Sequence, residues 1–148
     1  MDKTSVRIDN GYQAVIQARS HVVLADAPIA DGGTDRSMTP EELFLGALGA
    51  CMAMTGKMYA TRKGWPLDEI AVELDIERVA AEDYPGYQGD ARFVHRIIEQ
   101  VSLKGQLDDE QRTRIMEIMR KCPVRRIVTS PVFFEEELLA LEPETLLD

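Results

Sequence analysis

The chain has 148 residues, 45% of them hydrophobic and 29% charged, with a net charge of −9 at pH 7. That length predicts a single domain, residues 1–148, large enough to bury one core. The acidic balance excludes a nucleic-acid partner, because phosphate binding needs a concentrated basic surface and the nearest such cluster, Arg120–Arg126, is too short for a duplex-binding stripe.

Met1–Asn10 is polar and mixed in charge, without the pattern of an export signal. Residues 4–26 read as three strands, with Asn10-Gly11 predicting a two-residue hairpin turn. Ala27–Met38 is an aperiodic loop containing Gly32-Gly33. A helix is predicted from Thr39 to Lys63: Thr39 and Glu42 form a capping box, Pro40 occupies the first helical position, and Gly64 closes it. Its middle is apolar nearly all round, which predicts burial on every side. Gly46, Gly49, Ala50 and Ala53 make a small-residue stripe that admits another backbone, and in so short a chain this points to a partner subunit. The longest uncharged run, Leu43–Gly56, is 14 residues and shorter than a membrane span, so no membrane partner is expected.

Glu69–Glu77 alternates as a half-buried strand, Tyr84–Asp90 is a loop, and Arg92–Gly105 is a second strand with Ile97-Ile98 marking a bulge. Asp108 with Gln111 caps a further helix, whose inner stripe of Ile115, Ile118 and Met119 continues to Cys122. Pro123 starts a short helix, and the stretch from Pro131 begins strand-like before becoming an acidic tail. Strands, helix, strands and helices in that order predict an α+β fold rather than alternating βαβ units.

The chain holds two cysteines, Cys51 and Cys122. With no export signal the expected location is the cytoplasm, where a permanent structural disulfide is unusual, so the thiols are free, metal-bound or redox-active. Two readings of Cys122 stand side by side. At the N-cap of a helix, near Lys121, Arg125 and Arg126, its thiol pKa is expected to fall; as a small hydrophobe finishing a helix, it is inert. Cys51 is mid-helix in apolar surroundings, which leaves a thiol dormant unless a cation arrives from elsewhere in the fold. Arg19 and Arg36 are the candidates upstream, because a guanidinium stays charged when partly desolvated. His21 and His95 together with both cysteines make a zinc-type ligand set, but no paired ligand spacing supports it, and no metal or cofactor is expected. His95 and Glu99 share a strand face with Phe93, Ile97 and Val101, so His95 is expected to pack or meet a partner rather than catalyse.

The segment His21–Asp75, with its Gly-Gly loop, Pro-Glu motif and small-residue run ending in Cys51, together with Cys122–Arg126, resembles the OsmC/Ohr family of osmotically inducible and organic hydroperoxide resistance proteins, in its OsmC-like branch. The resemblance implies an antiparallel sheet wrapped around a long central helix, in an intertwined homodimer with active sites at the subunit interface. It also implies a thiol-dependent peroxidase acting on organic hydroperoxides, with Cys51 peroxidatic, Cys122 resolving, and an external dithiol as reductant, which in some family members is of lipoyl type. Glu41 matches the family glutamate and Arg19 the arginine that activates the thiolate, Arg36 being the alternative. The other function compatible with the resemblance is a dimeric binding or redox-responsive module without efficient peroxidase activity. On one straight helix Glu41 and Cys51 lie about 15 Å apart along the axis. Either the helix begins after Glu41, or two subunits pool residues.

Overall fold

Residues 3–139 are described by the computed structural model of the chain. Three short strands, β1 (Thr4–Arg7), β2 (Ala14–Ala18) and β3 (His21–Ala25), form an antiparallel sheet in the order β1-β2-β3. The predicted Asn10-Gly11 turn is not the connection formed. Thr4 pairs with Ala18 and Arg7 with Val15, a register centred on Gly11, and of the two turn residues only Gly11 takes a positive φ (71°). A two-residue turn of the expected type needs φ > 0 at both positions. The tight connection falls one strand later: Ala18 pairs with His21, leaving Arg19 and Ser20 as the tip, with Arg19 at φ 56°.

The loop from β3 to the first helix is organised around Asp26, 2% exposed. Its carboxylate accepts from the backbone N–H groups of Ala27 (2.8 Å), Thr34 (3.3 Å) and Arg36 (3.2 Å) and from the Thr34 hydroxyl (2.5 Å). A Cβ on Gly33 would lie 1.9 Å from the Ala27 carbonyl oxygen, so the loop closes only on glycine there. The Thr34 hydroxyl and the Arg36 N–H hold the Asp26 pKa below the ordinary carboxylate range. The charged form is thus favoured in the folded state. The stabilisation is complete above the unfolded pKa of about 4 and is lost as pH falls through the lower folded value. Asp26→Asn is expected to lower urea resistance at neutral pH and to flatten its decline between roughly pH 5 and pH 2; parallel curves for the two proteins would show that the carboxylate contributes nothing.

Helix α1 (Pro40–Lys63) begins as predicted: the Glu42 N–H donates to Thr39 Oγ1 at 3.2 Å, the Thr39 N–H donates to Glu42 Oε2 at 2.8 Å, and Gly64 caps the other end. Its 24 residues meet the length and composition of a bilayer-spanning helix, more than the uncharged run alone indicates, but its contacts are those of a packed core helix. Burial is one-sided within the chain. Leu48, Gly49, Met52, Gly56 and Ala60 are buried, while Met54 and Met58 are 65% and 64% exposed. At Gly56 the approach is so close that a Cβ would lie 2.7 Å from Met119 Cγ.

Strands β4 (Leu67–Ala80) and β5 (Phe93–Gly105) form a separate two-stranded sheet, so the single wrapped sheet expected is two sheets in one chain. β4 runs beyond the predicted Glu69–Glu77 at both ends. Pairing is continuous through Ile97 and Ile98, and the irregularity lies at Leu67/Glu69 instead. Ile70, Val72 and Leu74 from β4 and Ile97, Val101 and Leu103 from β5 pack on the core. Glu99 falls in that same inward row, opposite Leu74, whereas His95 is exposed rather than packed.

Helix α2 (Asp109–Met119) starts at the predicted Asp108–Gln111 capping box and inserts Ile115 and Met119, both 0% exposed. Helix α3 (Pro123–Val128) follows Cys122, its N-cap. Leu48, Met52, Ala60, Leu67, Ile115, Met119 and Cys122 form the buried core. The expected strand-like start of the C-terminal stretch is not formed: Pro131–Leu139 lacks regular structure, with Phe133 and Phe134 88% and 84% exposed. The rest of the acidic tail, 140–148, lies outside the described residues.

Candidate active site

Both cysteines are free, and the fold brings them to one place. Pro123 at the first position of α3 sets Cys122 as its N-cap, and the Cys122 sulfur accepts the Arg125 N–H at 3.4 Å. The Cys51 sulfur, projecting from the middle of α1, accepts the next N–H of the same turn, from Val124, at 3.5 Å. Sequence reasoning gave Cys51 no backbone donor because every N–H of its own helix is spent. The donor comes instead from Val124 in a helix that no local pattern connects to Cys51, 73 residues further on.

The two thiols differ in access. Cys122 is 0% exposed, whereas Cys51 is only half-buried. Burial pushes the Cys122 thiol pKa up, and the hydrogen bond and charge of neighbouring Cys51 add to the rise; the Arg125 N–H and the Arg125 charge pull the other way and do not prevail. Of the two readings of Cys122 left open by the sequence, the low-pKa N-cap thiol is the one this disfavours. Capping geometry is present as predicted, but desolvation outweighs it. The pair holds one accessible sulfur and one sequestered sulfur in direct proximity, which is what intramolecular thiol–disulfide chemistry requires.

Arg19 stands exposed at the β2–β3 tip, Arg36 is exposed in the loop with its N–H on Asp26, and Glu41 is exposed in the first turn of α1. No ion pair among the described residues joins either arginine to Glu41. Because α1 begins at Pro40, Glu41 is inside the helix, and the arrangement in which the helix starts after it is excluded. Of the apolar side chains near Cys51 in sequence, Leu48 and Met52 are core, while Phe44 and Met54 are 40% and 65% exposed. Sequence reasoning missed a second feature beside the thiols: Arg125 Nη1 donates to both carboxylate oxygens of Glu99 at 2.7 Å. The odd-numbered inward row of β5, with a glutamate among Ile97, Val101 and Leu103, was the available signal.

Fold and site together define an α+β protein built around a two-thiol centre. A family model described as OsmC-like protein matches residues 33–137, and the chain belongs to that family. No curated protein matches the sequence significantly. Among solved structures the chain is similar to an OsmC-like protein of Mycoplasma pneumoniae (TM-score 0.68, 14% identity, 86% of each chain covered). It is also similar to the organic hydroperoxide resistance protein OsmC of Legionella pneumophila (0.60, 15%, 86% of this chain and 89% of that one), and to the organic hydroperoxide resistance protein OhrB of Bacillus subtilis (0.59, 19%, 87% and 90%). At these identities the likeness is one of fold.

Proposed function

We propose that the chain is a cysteine-based reductase of organic hydroperoxides. The observation that carries this reading is the Cys51–Cys122 pair, one sulfur accessible and one buried, both on successive N–H groups of α3. The Cys51 thiolate attacks the distal peroxide oxygen; the O–O bond breaks, the alkoxide takes a proton and leaves as alcohol, and Cys51 becomes a sulfenic acid. Cys122 then attacks that sulfur, hydroxide leaves and is protonated to water, and a disulfide forms. A dithiol of lipoyl type, itself oxidised to a cyclic disulfide, returns both cysteines to thiols. The reducing compartment expected for the chain keeps the resting pair free.

The cation for Cys51 is supplied in this reading by a second subunit. Three observations favour an intertwined dimer. Val6, Ile8, Val22 and Val23 of the N-terminal sheet region are 61%, 54%, 57% and 48% exposed. The free face of α1 carries Met54 and Met58. A groove of about 420 Å³ runs between the small residues Gly46, Gly49, Ala50 and Ala53 and the β4 side chains Val72 and Leu74. A partner hairpin laid there brings its Arg19 toward Cys51, oriented by Glu41 through a charge-assisted pair.

The test is turnover of cumene or t-butyl hydroperoxide with dihydrolipoamide, alongside sizing in solution. A dimer with steady turnover supports the reading; absence of turnover with any dithiol favours the redox-responsive module. Arg19→Ala is expected to slow both the alkylation of Cys51 at neutral pH and its reaction with hydroperoxide by roughly tenfold. An unchanged alkylation profile removes Arg19 from the site.

A further inference from the structure

Glu99 and Arg125 are 18% and 32% exposed at the side chain, below the 39–75% of the other four ion pairs among the described residues. Partly desolvated pairs of this kind seldom add net stability over apolar replacements, so packing alone gives no reason for a glutamate in the inward row of β5. Its position relative to the thiols does. Arg125 serves two groups at once: its guanidinium is tied to β5 through Glu99, and its backbone N–H donates to the Cys122 sulfur. The preceding N–H, of Val124, donates to Cys51.

We infer that the Glu99–Arg125 pair is a positioning device for the resolving sulfur: β5 grips the guanidinium so that α3 holds both sulfurs in register and keeps a fixed positive charge beside Cys122 as it attacks. This deepens the peroxidase reading and rests on it for its biological meaning. The titratable and charged groups around Cys122 come from each packed element: Cys51 from α1, Arg125 from α3, and Glu99 from β5 through Arg125; α2 presents the apolar Ile115 and Met119. Of these only Arg125 favours the thiolate that must form for the second step, and its charge acts on Cys122 in that direction. Burial of Cys122 makes such help necessary. Burial also keeps the sulfur from outside reagents, so the cation serves an internal reaction.

The closing step can be watched without peroxide. An aryl disulfide, 5,5′-dithiobis(2-nitrobenzoate), reacts at the accessible Cys51: a sulfur–sulfur bond forms on Cys51 and one coloured thiolate leaves. Cys122 then attacks the Cys51 sulfur, the internal disulfide forms, and a second coloured thiolate leaves. The second release reports the positioning directly, whether or not the protein turns over hydroperoxides. The variants are Arg125→Met, Arg125→Lys and the apolar pair Glu99→Leu with Arg125→Met.

The apolar pair is expected to stay folded, with a Tm equal to or above that of the parent. Its second release should be slowed at least about threefold, the change that one unit of thiol pKa brings when nucleophilicity rises with basicity. In a Cys51→Ser background, the pH midpoint of the Cys122 thiolate absorbance at 240 nm should rise by about one unit in the apolar pair. Arg125→Lys, which keeps the charge but not the planar fork, should recover part of both. An apolar pair with the parent's second-release rate and thiolate-absorbance midpoint overturns the inference and leaves the ion pair as scaffolding. An apolar pair that fails to fold shifts the decision to Arg125→Lys against Arg125→Met, where equal second-release rates overturn it. Absence of hydroperoxide turnover in the parent overturns the function proposed above but leaves these readouts intact.

Discussion

Cys51→Ser is expected to abolish hydroperoxide reduction, lowering turnover with a dithiol by at least about a thousandfold, as loss of a covalent nucleophile does elsewhere. The reason is local. Cys51 is the less buried of the two cysteines, while Cys122 is 0% exposed with its thiol pKa pushed up by burial, so the second cysteine cannot take over the attack. A serine hydroxyl at position 51 still accepts the Val124 N–H, and a half-buried substitution this small should change stability by no more than about 1 kcal/mol. The measurement is consumption of cumene hydroperoxide with dihydrolipoamide, run beside a thermal melt. Turnover retained by a folded Cys51→Ser protein would place the chemistry at another residue and end the assignment of Cys51 as nucleophile.

The parts of the fold readable from sequence were those set by local chemistry. The capping boxes at Thr39–Glu42 and Asp108–Gln111 and the N-cap position of Cys122 follow from side chains bonding within three residues of themselves, and all three are present. The β1–β2 hairpin forms around Gly11 but without the expected two-residue turn, because Asn-Gly is a propensity, whereas register is decided by which faces the strands pair. With β2 pairing Ala18 to His21, the tight tip falls on Arg19-Ser20. That tip is of interest in its own right, since it presents the arginine matched to the family's cation at the most projecting point of the hairpin. Burial of α1 was overestimated within one chain, because an apolar helix states what it tolerates and not who covers it.

The site divides along the same line. Cys122 at its N-cap was legible; its acidity was not, because the sign depends on desolvation in a core completed by Leu48 and Met52, at least 70 positions upstream. The backbone donor to Cys51 was invisible for the same reason, and of the Glu99–Arg125 pair only the glutamate in an apolar row was legible: each bond joins residues 26 or more positions apart.

Replacing the second sulfur separates the two chemical steps, and Cys122→Ser is expected to leave the first intact while stopping the cycle after it. Serine is a preferred N-cap residue and offers the Arg125 N–H an oxygen acceptor in place of sulfur, so α3 should still start at Pro123. The Cys51 thiolate still reacts with hydroperoxide, but the sulfenic acid finds no thiol against it. With one equivalent of cumene hydroperoxide and no reductant, the parent should lose both free thiols as an internal disulfide and give no dimedone adduct. Cys122→Ser should give a Cys51–dimedone adduct in near-stoichiometric yield. Excess peroxide should drive it on to the sulfinic acid, which dithiols do not reverse. Turnover with dihydrolipoamide then falls to whatever direct attack by the external thiol allows. The half-buried setting of Cys51 opposes that attack, since the reductant must reach a sulfur held against α3. A Cys122→Ser protein that cycles at the parental rate, or a parent that accumulates the dimedone adduct instead of the disulfide, would show that Cys122 does not resolve the intermediate and that its burial beside Cys51 is packing alone.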